Sequence, residues 1–321
     1  MNLPLRMFLV VLVALELAAC APSSDPTPQT RRESRAGWSI DAGGDLNAFF
    51  ECLEQEGAAL VDAHRGGPRD GFPENALATF ETTMAAAPAI LEIDVQTSAD
   101  GVLYLMHDDT LERTTTGAGA ANALSWADIS KLRLKDAAGR ATDFAPTRFD
   151  EALRWAERRT ILAIDLKPST KYEAAIAEIR RQKAEHRILL IAYTLGQAKK
   201  LSRLIPEAMI SLNVGSQSEM NAAVAAGIPA DHIVGFTGTK APDLRLFELL
   251  DDRDVEVMFG TLGWPESIDR EIAASGADGR YAEIAAMGAD LIATDRPAEA
   301  HAALAQAGRA AEDGKCGIRH Q

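Results

Sequence analysis

From residue 45 onward, apolar positions along the chain keep two rhythms. Short apolar runs fall near 59–63, 89–93, 102–106, 161–164, 188–192, 208–212, 232–236, 255–259 and 290–293. Between most of them lie alanine-rich stretches with helical spacing, such as "KYEAAIAEIRRQKAEH" and "SQSEMNAAVAAG". Strand–helix alternation of this kind predicts a parallel sheet. Nine runs are one too many for an eightfold barrel. The link "QTSADG" between the second run and the third is only about six residues, whereas a parallel crossover needs roughly a dozen or more. Residues 102–106 therefore belong to an excursion over about 97–146, made of "VLYLMH", a glycine-rich loop and the short helix "SWADISKLR". Removing it leaves eight strand–helix units in about 265 residues, the usual size of a TIM barrel. The predicted fold is an α/β TIM (β/α)8 barrel with a small inserted subdomain after the second strand. A doubly wound sheet is the alternative, but no glycine-rich dinucleotide turn follows any strand.

In such a barrel, polar residues at the carboxyl ends of strands read as catalytic. They are His64 and Arg65 after the first strand, Glu92 and Asp94 on the second, and Asp165 with Lys167 on the third. Glu92 and Asp94 are two apart, so both project to one side of their strand. Two like charges on one face of an apolar strand are costly unless a cation neutralises them. Asp165 repeats the pattern next door. Three carboxylates on adjacent strand ends suit one hard divalent cation, Ca²⁺ or Mg²⁺; capping the rim through surface ion pairs is the bland alternative. His64 and His107 stand near this set and read as a general acid and base. The sequence leaves open which is which. His186, His232, His301 and His320 have no comparable company. The segment "TTTGAGA" lacks a following Lys and reads as a mobile loop rather than a phosphate cradle.

Charge narrows the partners. The 321 residues carry a net charge of −14, and no basic stripe is present to hold nucleic acid or an anionic membrane surface. A phosphate-binding site here must draw positive charge locally, from a metal or from Arg and Lys. The start of the chain is different in kind. Arg6, the apolar run Met7 to Leu15 and "LAAC" are too short for a span of about 20 residues and predict a signal peptide over 1–19. Its end resembles a bacterial lipobox, which implies acylation of Cys20 and an exported, membrane-anchored lipoprotein of the cell envelope; an ordinary signal peptide with an incidental Cys is the alternative. Residues 20–44 read as a disordered tether, 45–310 as the barrel domain and 311–321 as a C-terminal tail. In an oxidising compartment, the two remaining cysteines are a disulfide candidate. Cys52 precedes the first strand and Cys316 follows the last helix, so both belong at the barrel floor.

The ordered motifs "AHRG…PEN", "EIDVQTSADG", "MHDDTLERTT", a strand ending in acid-x-Lys and "GADLIATDRP" resemble the glycerophosphodiester phosphodiesterases, from about Leu60 to Pro297. The resemblance implies a TIM barrel with an insertion. It implies metal ligands at Glu92, Asp94 and Asp165, catalytic histidines at His64 and His107, and phosphate contacts from Arg65 and Lys167. Glu74 and Asn75 would then fold down to orient His64 and the ligands. The chain departs from the family pattern at Ala76, usually Thr, and at Asp165, usually Glu. The shorter Asp draws the metal toward the third strand or adds a water. The implied activity is hydrolysis of a glycerophosphodiester to an alcohol and glycerol 3-phosphate. Two alternatives remain: lysophospholipase-D-type hydrolysis of lipid diesters, for which Phe259, Leu262 and Trp264 offer an apolar rim, with core packing or a polyol-stacking aromatic as equal readings of these residues, and a non-catalytic surface binding lipoprotein.

Overall fold

Eight strands run parallel around a closed cylinder: β1 (Leu60–Ala63), β2 (Ala89–Thr97), β3 (Leu162–Leu166), β4 (Ile188–Ala192), β5 (Met209–Asn213), β6 (Ile233–Phe236), β7 (Glu256–Gly260) and β8 (Leu291–Thr294). Each pairs with the next, and β8 returns to β1 with Leu291 opposite Leu60 and Thr294 opposite Ala63. This is the expected TIM barrel, seen in a computed structural model that describes Met1, residues 37–263 and residues 265–321. The expected signal peptide, Cys20, most of the expected tether and Trp264 lie outside the described residues.

The strands are apolar on both faces because both are covered. Alternate residues fill the cylinder, and the others meet the surrounding helices. Those helices start where the sequence supplies caps. Asp45 accepts from the Ala48 amide ahead of helix Leu46–Gln55, and Thr194 and Gln197 form a capping box ahead of Leu195–Leu204. Helix Leu46–Gln55 buries Leu46, Phe49, Phe50 and Leu53, putting its apolar face into the core near the amino ends of the strands.

The excursion forms as expected and has its own small core. After β2, strand Leu103–Leu105 folds back antiparallel, with Leu105 opposite Val95. Tyr104, Met106, Leu111, Ala121 and Ile129 then pack together. The segment expected to be a mobile loop is instead tied in. Thr115 is buried, its hydroxyl donates to the Leu111 carbonyl, and the Thr116 amide donates to Arg133. Threonine hydroxyls satisfied by local backbone fix such a segment without any regular element.

Two expected boundaries are corrected. Trp38–Ile40, within the expected tether, is a strand paired antiparallel with Ile318–His320, within the expected tail. Three-residue strands carry too little period to be read from sequence, and only their mutual pairing orders them. The Ile40 amide also donates to the Arg159 carbonyl just before β3, which fixes this clasp at the amino-end face of the barrel. Trp38 packs against His301 and His320, so both of these histidines serve structure. Beside the clasp, Cys52 and Cys316 are disulfide-bonded with Cα atoms 5.7 Å apart and a sequence separation of 264.

On the same floor, Glu256 faces inward at the start of β7. Burial, and then Asp290, Glu54, Asp251 and Asp254, push its carboxyl up to about 9.

Two stability predictions arise here. The disulfide closes nearly the whole chain, worth on the order of 5 kcal/mol before strain and denatured-state compaction are discounted. Cys52→Ser, or reduction of the wild type, should lower Tm by roughly 5–15 °C. An unchanged Tm, or free thiols at 52 and 316 in denatured, unreduced protein, would contradict the link. The second prediction concerns pH. The folded value for Glu256 of about 9 lies above its ordinary 4.5, so folding takes up a proton between these limits and stability falls as pH rises through that window. Glu256→Gln should raise Tm by a few degrees at pH 8, on the scale of about 1–2 kcal/mol, and should do little at pH 4. An equal gain at both pH values would show that charge is not the cause.

Candidate active site

The site is built at the carboxyl ends of β1, β2 and β3. Asp94 and Asp165 are register partners on neighbouring strands, and Glu92 stands two residues below Asp94 on the same face. All three are buried. Asp62 on β1 joins them. It is opposite Ile90, which shares the inward face of β2, and only 3% of it is exposed. One of its carboxyl oxygens, Oδ1, has no hydrogen-bond partner.

Confinement of so much acid shows in its protonation. Burial and then the Asp94 charge drive Glu92 well above the ordinary carboxylate range, although the Arg65 amide donates to it at 2.7 Å. Burial alone pushes Asp62 up to about 7. Asp94 goes the other way: burial opposes its charge, but the Lys167 ammonium, His107 and Arg65 outweigh burial and hold it low. Lys167 bridges Asp94 and Asp165 at 2.7 and 2.6 Å. The Tyr193 hydroxyl at the end of β4 also donates to Asp165, at 2.7 Å.

The donor set fits a hard divalent cation. Asp94 and Asp165 in register, with Glu92 two residues below, could offer oxygen ligands of the kind Ca²⁺ and Mg²⁺ take. With Lys167 lying between Asp94 and Asp165, no three His, Cys, Asp or Glu side chains among the described residues meet at one ligating point.

The loop after β1 is shaped by close contact. Arg65 itself takes a left-handed conformation at φ 51°, strained for a side chain with a Cβ and of a kind that clusters at functional sites. A Cβ on Gly66 would fall 2.2 Å from the Phe80 ring, and one on Gly67 would meet Thr83 and Pro297 at 2.7 and 2.8 Å. Only glycines let this loop lie so close to helix Leu77–Ala86. Arg65 Nη1 is held by both oxygens of Glu74, at 3.1 and 3.0 Å. Its buried Nε–H has no hydrogen-bond partner.

Asn75 orients a carboxylate, as expected. Its Nδ2 donates to Asp94 at 2.7 Å, and its Oδ1 accepts from the Asp94 amide at 3.0 Å. Neither Glu74 nor Asn75 orients His64, which corrects the expectation. That role falls to Asp295, just past β8, whose Oδ1 lies 2.7 Å from His64 Nδ1. Burial disfavours the Asp295 charge, but its bond to His64 wins and keeps it ionised, so Nδ1 carries the proton and Nε2 is left for a substrate. Asp269, itself buried and held by Tyr281 and Thr294, accepts from the Asp295 amide at 2.7 Å. His107 is held in the same way by its neighbour Asp108, at 2.7 Å. Two histidines, each steadied by an aspartate, therefore stand at one carboxylate cluster. Asp295 and Asp108 both lay within quoted motifs, and the strand-end rule that selected Asp165 also points to Asp295.

Of the three residues offered for an apolar rim, Trp264 lies outside the described residues and Phe259 takes the core-packing alternative. Phe259 is fully buried and packs on Phe247 in the core, because its place in β7 turns it out toward the helices. Leu262 is partly buried against the same core.

Comparison with known proteins points to one family. The profile of the glycerophosphoryl diester phosphodiesterase family matches residues 64–212. The uncharacterised Bacillus subtilis protein YqiK is 26% identical over 233 residues, 70% of this chain and 94% of its own length. A glycerophosphodiester phosphodiesterase of Caldanaerobacter subterraneus is 28% identical over 48% of this chain, a match spanning 65% of that enzyme. Among solved structures, a glycerophosphoryl diester phosphodiesterase from Parabacteroides distasonis superposes with a TM-score of 0.81 at 27% identity, covering 89% of this chain and all of its own. Strand order and insertion fit these relatives, and the match over residues 64–212, the homologues and the structural neighbours all support the glycerophosphoryl diester phosphodiesterase family of phosphoric diester hydrolases.

Proposed function

We propose that this protein hydrolyses glycerophosphodiesters to an alcohol and glycerol 3-phosphate by paired histidine acid–base catalysis. The observation that carries this reading is the pair of Asp-steadied histidines at one cluster of buried carboxylates, with Arg65 and Lys167 alongside. Arg65, whose Nε–H makes no hydrogen bond and lies 3.9 Å from Asp94 Oδ2, is suited to a non-bridging phosphoryl oxygen, and Lys167 adds a second positive charge. Glu92, Asp94 and Asp165 would hold one divalent cation, which when bound supplies neutralisation of the phosphodiester and of charge building at phosphorus.

In a glycerol diester the neighbouring 2-hydroxyl is the nearest nucleophile. One histidine takes its proton through Nε2 as the oxygen bonds to phosphorus. The other histidine gives a proton to the departing alcohol oxygen as the P–O bond breaks. The cyclic phosphate is then opened by water with the roles exchanged. Water loses its proton to the histidine that had acted as acid, and the 2-oxygen regains one from the other. An Oleispira antarctica phosphodiesterase of this fold, 20% identical with a TM-score of 0.61, is described in complex with the product sn-glycerol-3-phosphate, the product proposed here. Burial of Phe259 favours water-soluble diesters over lipid ones. Secretion with acylation at Cys20 belongs to the same proposal and rests on the lipobox-like sequence alone.

Two measurements test this reading. His64→Ala and His107→Ala should each lower turnover at least ~10²-fold, the usual contribution of a general acid or base, with Tm close to wild type. Wild-type turnover in either variant would remove that residue's role. Exhaustive chelation should abolish hydrolysis of glycerophosphocholine, and Ca²⁺ or Mg²⁺ should restore it. Full activity after chelation would eliminate the cation from the reading.

A further inference from the structure

Arg113 lies in the insertion, six residues beyond His107, and the reaction above gives it no part. Its guanidinium nevertheless makes four short bonds to two carboxylates. Nε and Nη2 donate to Oδ2 and Oδ1 of Asp108 at 2.6 and 2.7 Å. Nη1 and Nη2 donate to Oε2 and Oε1 of Glu74 at 2.7 and 2.9 Å. Both contacts are two-pronged, a geometry that the planar fork of arginine makes and that lysine cannot.

The far sides of these carboxylates matter more. Asp108 also holds Nδ1 of His107, and Glu74 also holds Nη1 of Arg65. An unbroken chain of five side chains thus runs from His107 through Asp108, Arg113 and Glu74 to Arg65. One end stands on the insertion and the other on the loop after β1. We propose that Arg113 is a positioning residue that locks the proton-transferring His107 and the phosphate-binding Arg65 to one another across the mouth of the barrel.

Two observations separate positioning from simple stapling of the insertion. The Arg113 side chain is 49% exposed, so solvent screens its ion pairs and limits what they add to stability. The insertion also has its own core and the strand pairing on β2 to hold it. Meanwhile Asp108 is kept ionised at about 2: burial opposes the charge, but the bonds from Arg113 and His107 outweigh it. The bonds therefore fix where two side chains point rather than whether the domain folds. Misplacing a reacting group by about 1 Å can cost on the order of 10²-fold in rate.

The inference rests on the proposed phosphodiesterase reading, and the experiment keeps the two apart. Hydrolysis of glycerophosphocholine and calorimetric binding of glycerol 3-phosphate would be measured for wild type, Arg113→Ala, Arg113→Lys, Glu74→Gln and the Arg113→Ala/Glu74→Gln double variant. Arg113→Ala should keep Tm within about 2 °C and lose roughly 10- to 100-fold in kcat/KM, through both a higher KM and a lower kcat. Arg113→Lys should recover little, and added ethylguanidinium should restore part of the lost activity to Arg113→Ala. Because both single changes break one chain, the double variant should fall well short of the product of the two losses. Unchanged kcat and KM in Arg113→Ala, a defect confined to Tm, or losses that multiply would each overturn the proposal while leaving an active wild type and its function intact. A wild type that neither hydrolyses the diester nor binds glycerol 3-phosphate would overturn the functional reading, and this inference with it.

Discussion

Crowded negative charge at the top of the barrel is the constraint around which the site is arranged. Asp62, Glu92, Asp94 and Asp165 come from three neighbouring strands and are almost wholly withdrawn from water. Ionised carboxylates in such a place are strongly disfavoured unless cations or donors compensate them. The compensation is only partial. Lys167, Arg65, Asn75 and Tyr193 look after Asp94 and Asp165, whereas Glu92 and Asp62 are left with raised proton affinities. A site built this way is short of positive charge, and a cation together with its anionic substrate is the kind of load that would balance it.

The same shortage explains the loop after β1. To bring backbone and guanidinium donors against Glu92 and Asp94, the chain turns sharply through a left-handed Arg65 and two glycines wedged against Phe80 and Thr83. Backbone strain is accepted there because the helix behind the loop leaves it no other path.

Much of this was legible in the sequence. The eight strands, the insertion and the six strand-end residues follow from period, spacing and the rule that barrel chemistry sits at strand ends. What escaped has physical reasons. Asp62 reads as one polar residue inside a buried strand, and nothing local says that its register places it beneath Glu92. Asp295 and Asp108 act through their partners, so their importance appears only once the fold brings them against His64 and His107. Arg113 looks like an ordinary loop charge until Glu74, 39 residues earlier, is folded against it. Phe259 stayed open between rim and core because such positions alternate along β7, and one residue of register decides between them. The paired segments Trp38–Ile40 and Ile318–His320 are too short to show a period at all.

The clasp and disulfide on the barrel floor also decide how the protein bears a pull. Gly37 and Gln321 exchange backbone hydrogen bonds at 3.0 and 2.9 Å, so the two ends of the described domain meet at one point. Tension on the chain at Gly37 would act first on a three-residue ladder. Beyond it, at Cys52, tension meets a covalent knot that encloses the stretch to Cys316, at a sequence separation of 264. The barrel strands and every residue of the catalytic mouth lie inside that loop, so drawing out the end of the chain cannot extend the catalytic body without first breaking a sulfur–sulfur bond.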